Sequence, residues 1–115
     1  MHELSIAYNL VQIAIETAEQ NNLQKVDALH VRLGVLSGVV KEALEFSFDI
    51  ATEGTSIEGA RLVIEEVPLK IYCSQCRNEY VLPKPTPMAC PKCNIRTGEI
   101  IEGKEIELFS LEGGS

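Results

Sequence analysis

Apolar residues near the start of the chain recur at helical spacing. Leu4, Ala7, Val11, Ala14 and Ala18 share one face, and Leu10, Ile13 and Ile15 widen the stripe. This predicts a helix from Leu4 to Gln20, stopped at Asn21-Asn22. The period then drops to two. Over residues 25–34, Leu29, Val31 and Leu33 face one way and His30 and Arg32 the other, which reads as a strand ending at Gly34. A second helix is expected to open at Leu36-Ser37-Gly38, with Ser37 as its cap and Val40, Leu44, Phe48 and Ala51 on its buried face. Glu53-Gly54-Thr55 closes it and Gly59 marks a turn. Ala60–Val67 reads as a second strand with Leu62 and Ile64 inward, ended by Pro68. Lys104–Leu111 alternates once more, Ile106 and Leu108 against Glu105 and Glu107, before a loose tail of Gly113-Gly114-Ser115.

Two helices and three strands predict an α+β fold: a small two-layer domain, two helices on a three-stranded sheet. The last strand needs partners from the first half of the chain, because a strand alone is unstable. The domain is therefore expected to be discontinuous, residues 1–69 with 103–115, and residues 70–102 form an insertion. Pro83-Lys84-Pro85-Thr86-Pro87 is read as a stiff spacer at the tip of that insertion.

All four cysteines lie in the insertion, as Cys73-Ser74-Gln75-Cys76 and Cys90-Pro91-Lys92-Cys93, separated by thirteen residues. Four thiolates so spaced can converge on one tetrahedral ion, and Zn²⁺ is the usual occupant of a closed four-sulfur site. The gap is slightly shorter than the roughly 15–20 residues common in zinc ribbons. Two local disulfides, a redox pair or a rubredoxin-type iron site are the alternatives. Glycine often follows each CxxC of a zinc knuckle, whereas here Arg77 and Asn94 do. Asparagine enters left-handed backbone conformations readily, arginine less so. A saturated four-sulfur site also has no open position for chemistry.

Charge narrows the choice of partners. The chain carries a net −7, unevenly placed. Residues 70–102 hold five Lys or Arg against three Glu, and the remainder holds five basic against fourteen acidic side chains, a net −9. Such a surface repels nucleic acid and suits basic protein partners or cationic cargo. No apolar run approaches the ~18 residues of a membrane span, and the start lacks a secretion signal, so a cytoplasmic location is expected. Catalytic chemistry has little to work with, and no enzyme is expected. Gly54-Thr55-Ser56-Ile57-Glu58-Gly59 lacks the Gly-Lys-Ser/Thr ending of a phosphate loop and reads as a turn. His30, on the polar face of its strand, is expected to be solvated or hydrogen-bonded.

His2 differs because of its address. Its imidazole, its own backbone nitrogen and the Met1 amine can close adjoining chelate rings around one ion, and the Glu3 backbone nitrogen can complete a planar set. Planar nitrogen coordination favours Ni²⁺ or Cu²⁺ over Zn²⁺. Taken alone, a frayed terminal residue is the plainer reading of His2.

The blocks Met1-His2-Glu3-Leu4-Ser5-Ile6-Ala7, Arg32-Leu33-Gly34-Val35-Leu36-Ser37-Gly38, Gly54-Thr55 with Glu58-Gly59-Ala60, both CxxC pairs and Gly103-Lys104-Glu105 run in one order along the chain. Together they resemble the HypA/HybF family, nickel metallochaperones that help insert nickel into [NiFe]-hydrogenase and, in some organisms, urease. The resemblance implies that His2 is the essential nickel ligand, with Met1 and Glu3 completing the site in a nickel-binding domain. It implies structural Zn(II) on Cys73, Cys76, Cys90 and Cys93, and Ni(II) as transferred cargo. It further implies a maturation GTPase and the hydrogenase large-subunit precursor as partners. Monomer and homodimer both stay open.

Overall fold

The computed structural model describes residues 2–84 and 87–114, and of His2 the backbone alone. The element order is α1 (His2–Gln20), β1 (Lys25–Gly34), α2 (Lys41–Thr52), β2 (Arg61–Val67), β3 (Leu69–Cys73), β4 (Asn78–Leu82), β5 (Ile100–Glu102) and β6 (Ile106–Gly114). Two three-stranded sheets result, in the orders β2-β1-β6 and β4-β3-β5. The expected α+β fold is present, and the cysteine segment has a sheet of its own.

The chain divides into two compact units. One comprises Met1–Arg32, Val39–Glu65 and Glu107–Ser115; the other comprises Leu33–Gly38 and Glu66–Ile106. In the first unit α1 packs on α2. Its core takes Ala7, Leu10, Val11, Ala14 and Ala18 from α1, Leu29 and Val31 from β1, and Leu44, Phe48 and Ala51 from α2. The helical stripe read from the sequence is thus the buried face, with Leu4 and Ile15 half-buried at its edges and one correction: Ile13 is 48% exposed. Asn22, at φ 58, ends α1 in a left-handed turn.

Backbone bonds set the strand directions. Gln24 N–H donates to Gly114 O at 2.8 Å and Gly34 N–H to Glu105 O at 2.8 Å, so β1 and β6 run antiparallel. Val35 N–H donates to Val67 O while Arg32 reaches Glu65 two residues earlier, so β1 and β2 run parallel. A parallel pair needs a crossover, and α2 lies in that connection. On the polar side of this sheet, Arg32 lies over the Phe109 ring at 4.0 Å and pairs with Glu107 at 3.2 Å. His30 Nε2 bonds Glu112 at 2.9 Å, the hydrogen-bonded role expected of it. Exposed pairs of this kind each contribute only about 0.2–1 kcal/mol.

Two expectations about local structure are corrected. Ser37 does not cap α2, which begins at Lys41 with Val40 at the N-cap position. Residues 34–37 make a turn instead, Ser37 N–H donating to Gly34 O at 3.0 Å and Leu36 N–H to Gly103 O at 2.6 Å. The local turn and the long-range bond to Gly103 hold the segment out of the helix. Gly113 and Gly114 form no loose tail but complete β6, where a Cβ at Gly113 would overlap the Lys25 carbonyl oxygen. Only glycine allows the two backbones to lie that close. Gly54–Gly59 is a run of turns between α2 and β2, as expected, held by Thr55 Oγ1 donating to Thr52 O at 2.7 Å. Of the proline-rich spacer, Pro85 and Thr86 lie outside the described residues.

Candidate metal centre

The second unit builds its site on β3. Leu69, Ile71 and Cys73 alternate along that strand and are all buried, so the face that carries the apolar core also delivers the first sulfur. Leu69, Ile71 and Leu82 form the core of the unit, with Leu36, Tyr80, Met88 and Ile100 half-buried against it. β4 returns antiparallel, pairing Ile71 with Tyr80 and Cys73 with Asn78. The reversal between them holds Cys76. The second pair is presented by another short turn, in which Cys90 N–H donates to Ile95 O at 2.9 Å and Asn94 N–H to Cys90 O at 2.9 Å. Thr97 Oγ1 donates to Tyr72 O at 2.9 Å, tying the end of that turn back to β3.

The four cysteines converge. All four Sγ atoms lie within 4.8 Å of one another, with Cys73–Cys93 at 3.6 Å and Cys76–Cys90 at 3.8 Å. Four sulfurs at ~2.3 Å from a tetrahedral zinc are separated by roughly 3.8 Å, so the donor set fits that ion in number, chemistry and size. Backbone donors complete the surroundings. Cys76 N–H points at Cys73 Sγ (3.4 Å), and Lys92 and Cys93 N–H point at Cys90 Sγ (3.4 and 3.5 Å). Such bonds stabilise thiolates and orient them as ligands.

These contacts also separate the thiols electrostatically. Loss of solvation, reinforced by the Cys93, Cys90 and Cys73 thiols, pushes Cys76 up to about 12. Desolvation pushes Cys90 the same way, but the Cys93 and Lys92 backbone donors outweigh it and bring the thiol down to about 7. Desolvation, and then the neighbouring Cys76, raises the Tyr80 phenol as well. A divalent ion replaces the remaining thiol protons, so metal uptake here releases protons and weakens in acid.

Arg77 and Asn94, the residues after each CxxC, both adopt left-handed backbone angles, φ 55 and φ 66. The knuckle conformation is therefore reached without glycine. A β-branched residue tolerates that region worst. Arg77→Val is expected to cost about 1–3 kcal/mol of stability in the metal-loaded protein, while Arg77→Gly should stay within about 1 kcal/mol of the parent. Urea unfolding of both variants measures the difference.

The other predicted ligands sit apart from this cluster. His2 and Glu3 open α1, and Met1 lies outside the described residues. Among the described residues, no further group of three or more His, Cys, Asp or Glu converges. Sequence reading overlooked that the Glu3 carboxylate accepts a hydrogen bond from Val40 N–H at 3.3 Å. The signal available was the apolar residue at the start of α2, which has no side-chain oxygen with which to cap its own helix.

The fold and the site define an α+β protein carrying a closed four-cysteine metal knuckle. A family model described as "Hydrogenase/urease nickel incorporation, metallochaperone, hypA" matches residues 1–113. The hydrogenase maturation factor HypA of Roseiflexus sp. (strain RS-1) is 52% identical over 112 residues, 97% of this chain and 91% of that one. The factor of the same name from Chloroflexus aurantiacus is 48% identical, covering 97% and 98%. Among solved structures, the Ni metallochaperone HypA from Helicobacter pylori aligns with a TM-score of 0.74 at 26% identity, covering 100% of this chain and 99% of that one. The chain belongs to the HypA family of nickel-incorporation metallochaperones.

Proposed function

We propose that this protein binds Ni(II) through Met1, His2 and the backbone nitrogen of Glu3, and delivers it during maturation of [NiFe]-hydrogenase. Zn(II) on Cys73, Cys76, Cys90 and Cys93 is structural in this reading. The observation that carries it is the closure of the four-sulfur set: a cluster sized for one tetrahedral ion has no open position for cargo. The transferable metal then needs another address, and His2 stands at the head of α1. The first four N–H groups of an α-helix have no intrahelical acceptor, so nickel can replace amide protons there without breaking a helix hydrogen bond. Residues 1–69 and 103–115 are read as the nickel-handling part and residues 70–102 as the zinc-bearing part.

The protein is read as a carrier, not an enzyme. The turns at Gly54–Gly59 offer no nucleotide loop, so a GTP-driven step belongs to a partner GTPase, and the large-subunit precursor receives the metal. Residues outside 70–102 carry a net −9, which suits a cationic cargo. No described helix is long and apolar enough to cross a membrane. A reducing cytoplasm suits four metal-bound thiolates. Service to urease and assembly as a homodimer are further readings of the same protein.

Nickel titration calorimetry on zinc-loaded protein tests the site. His2→Ala, and a variant extended by two residues before Met1, are each expected to lose affinity by more than the roughly 10–100-fold that an outer-shell contact costs. Binding by the parent should weaken as pH falls, because protons compete for the imidazole and amide nitrogens. Equal binding by all three proteins would place nickel elsewhere.

A further inference from the structure

The geometry points to the Glu3 carboxylate as a positioning group of the nickel site, acting through α2 while only the Glu3 backbone nitrogen meets the metal. The inference rests on the terminal nickel site proposed above. Val40 occupies the N-cap position of α2 with φ −85 and ψ 121, and its carbonyl accepts the first helical bond, from Leu44 N–H at 2.9 Å. A good cap supplies a side-chain oxygen and, in a capping box, receives a carboxylate from the third helical residue onto its own N–H. Here neither is possible. Val40 has no polar side-chain atom, and the third helical residue is Ala43.

Glu3 supplies the missing carboxylate from another helix. Its Oε2 accepts from Val40 N–H at 3.3 Å, the contact that a glutamate within α2 would otherwise make. The negative charge also sits where the α2 dipole is positive. The consequence for nickel lies one bond away. With the carboxylate turned to α2, the atom that Glu3 offers the metal is its backbone nitrogen. The side chain then tethers that residue to a second helix, so the first turn of α1 is held in place before nickel arrives. Preorganisation of this kind raises affinity by reducing the order that binding must impose.

Three substitutions separate this role from coordination. Glu3→Ala removes the acceptor and Glu3→Gln keeps one. Val40→Pro removes the donor without touching Glu3, since proline suits φ −85 and the preceding Val39 is not helical. Nickel affinity by calorimetry and the visible absorption of bound Ni(II) are read on each, beside the chain extended before Met1. Glu3→Ala and Val40→Pro are each expected to weaken nickel binding about fivefold, in line with the net contribution of one ordinary exposed hydrogen bond. The double variant should lose less than the two single losses combined, and Glu3→Gln should keep most of the affinity. All four should show the absorption of the parent, because the ligand atoms are unchanged.

A changed spectrum in Glu3→Ala would make the carboxylate a ligand and overturn the proposal. So would unchanged affinity in both single variants, or losses that simply add in the double one. Undiminished binding by the extended chain would remove the terminal site itself, which is a different failure and is read from a different protein.

Discussion

Withdrawing the metal with a strong chelator is expected to abolish amide-exchange protection across residues 66–106, while α1 and α2 keep theirs. The reason is the size of the second unit's core. Leu69, Ile71 and Leu82 are buried at its centre, Leu33 and Val67 are the other buried aliphatic side chains described in the unit, and the helpers Leu36, Tyr80, Met88 and Ile100 are only half-buried. Each full burial contributes about 1.5–3 kcal/mol, whereas each ordered residue costs about 1–2 kcal/mol in backbone entropy alone. Metal binding to a four-cysteine site supplies on the order of 10–16 kcal/mol, the largest single term available to this segment. The helical unit has its own core in Leu10, Leu29, Leu44 and Phe48 and does not draw on the ion.

Cys90→Ser should have nearly the same effect as the chelator, because it removes the sulfur that two backbone N–H groups help to ionise. Re-adding zinc should restore protection to the parent and not to the variant. Protection that persists over 66–106 in the metal-free parent would show that the sheet β4-β3-β5 holds itself together. The metal would then be a passenger in a folded unit.

Gly34→Ala is expected to destabilise the protein by about 3 kcal/mol or more, at the upper end of overpacking losses. A Cβ at this position would overlap the carbonyl group of Gly103 and stand 2.6 Å from Lys104 N. These are backbone atoms, fixed by Gly34 N–H donating to Glu105 O and Leu36 N–H to Gly103 O, so no side chain can move aside to relieve the clash. Gly103 itself has φ 126 and packs beside Leu69, leaving the loop little freedom to retreat. Gly98→Ala is the control, since no atom lies within 4 Å of the added methyl. It should stay within about 0.5 kcal/mol of the parent. Urea midpoints that coincide for the two variants would mean that the 103–105 segment yields more easily than its hydrogen bonds suggest.

Both helices and the strands of the first sheet were legible because each buries one face, which leaves a period of 3.6 or 2 in the sequence. The cysteine site was legible because four ligands of one type in paired CxxC spacing have few other uses. The sheet inside the insertion was not. Leu69, Ile71 and Cys73 do alternate, but the strand is five residues long and follows directly on Pro68. Its partners lie beyond a knuckle, and their register is visible only once Ile71 meets Tyr80. The start of α2 was misplaced for a similar reason. Leu36-Ser37-Gly38 has the composition of a helix start, yet its backbone is committed to Gly34 and Gly103.

Local chemistry and periodicity in the sequence by themselves determined the two helices, the three strands of the larger sheet and the paired cysteines of the four-sulfur cluster. These depend on residues close together along the chain, or on a ligand type that names its own partners. Only the tertiary structure decided that Arg77 and Asn94 accept left-handed angles, that Gly34 and Gly113 each press against another backbone, and that Glu3 caps a helix to which it does not belong. The glycine contacts and the Glu3 cap each depend on two segments remote in sequence being brought within a few ångströms. The physical reason is that hydrogen bonding and close packing act through space, and no pattern along one segment records what the other will present.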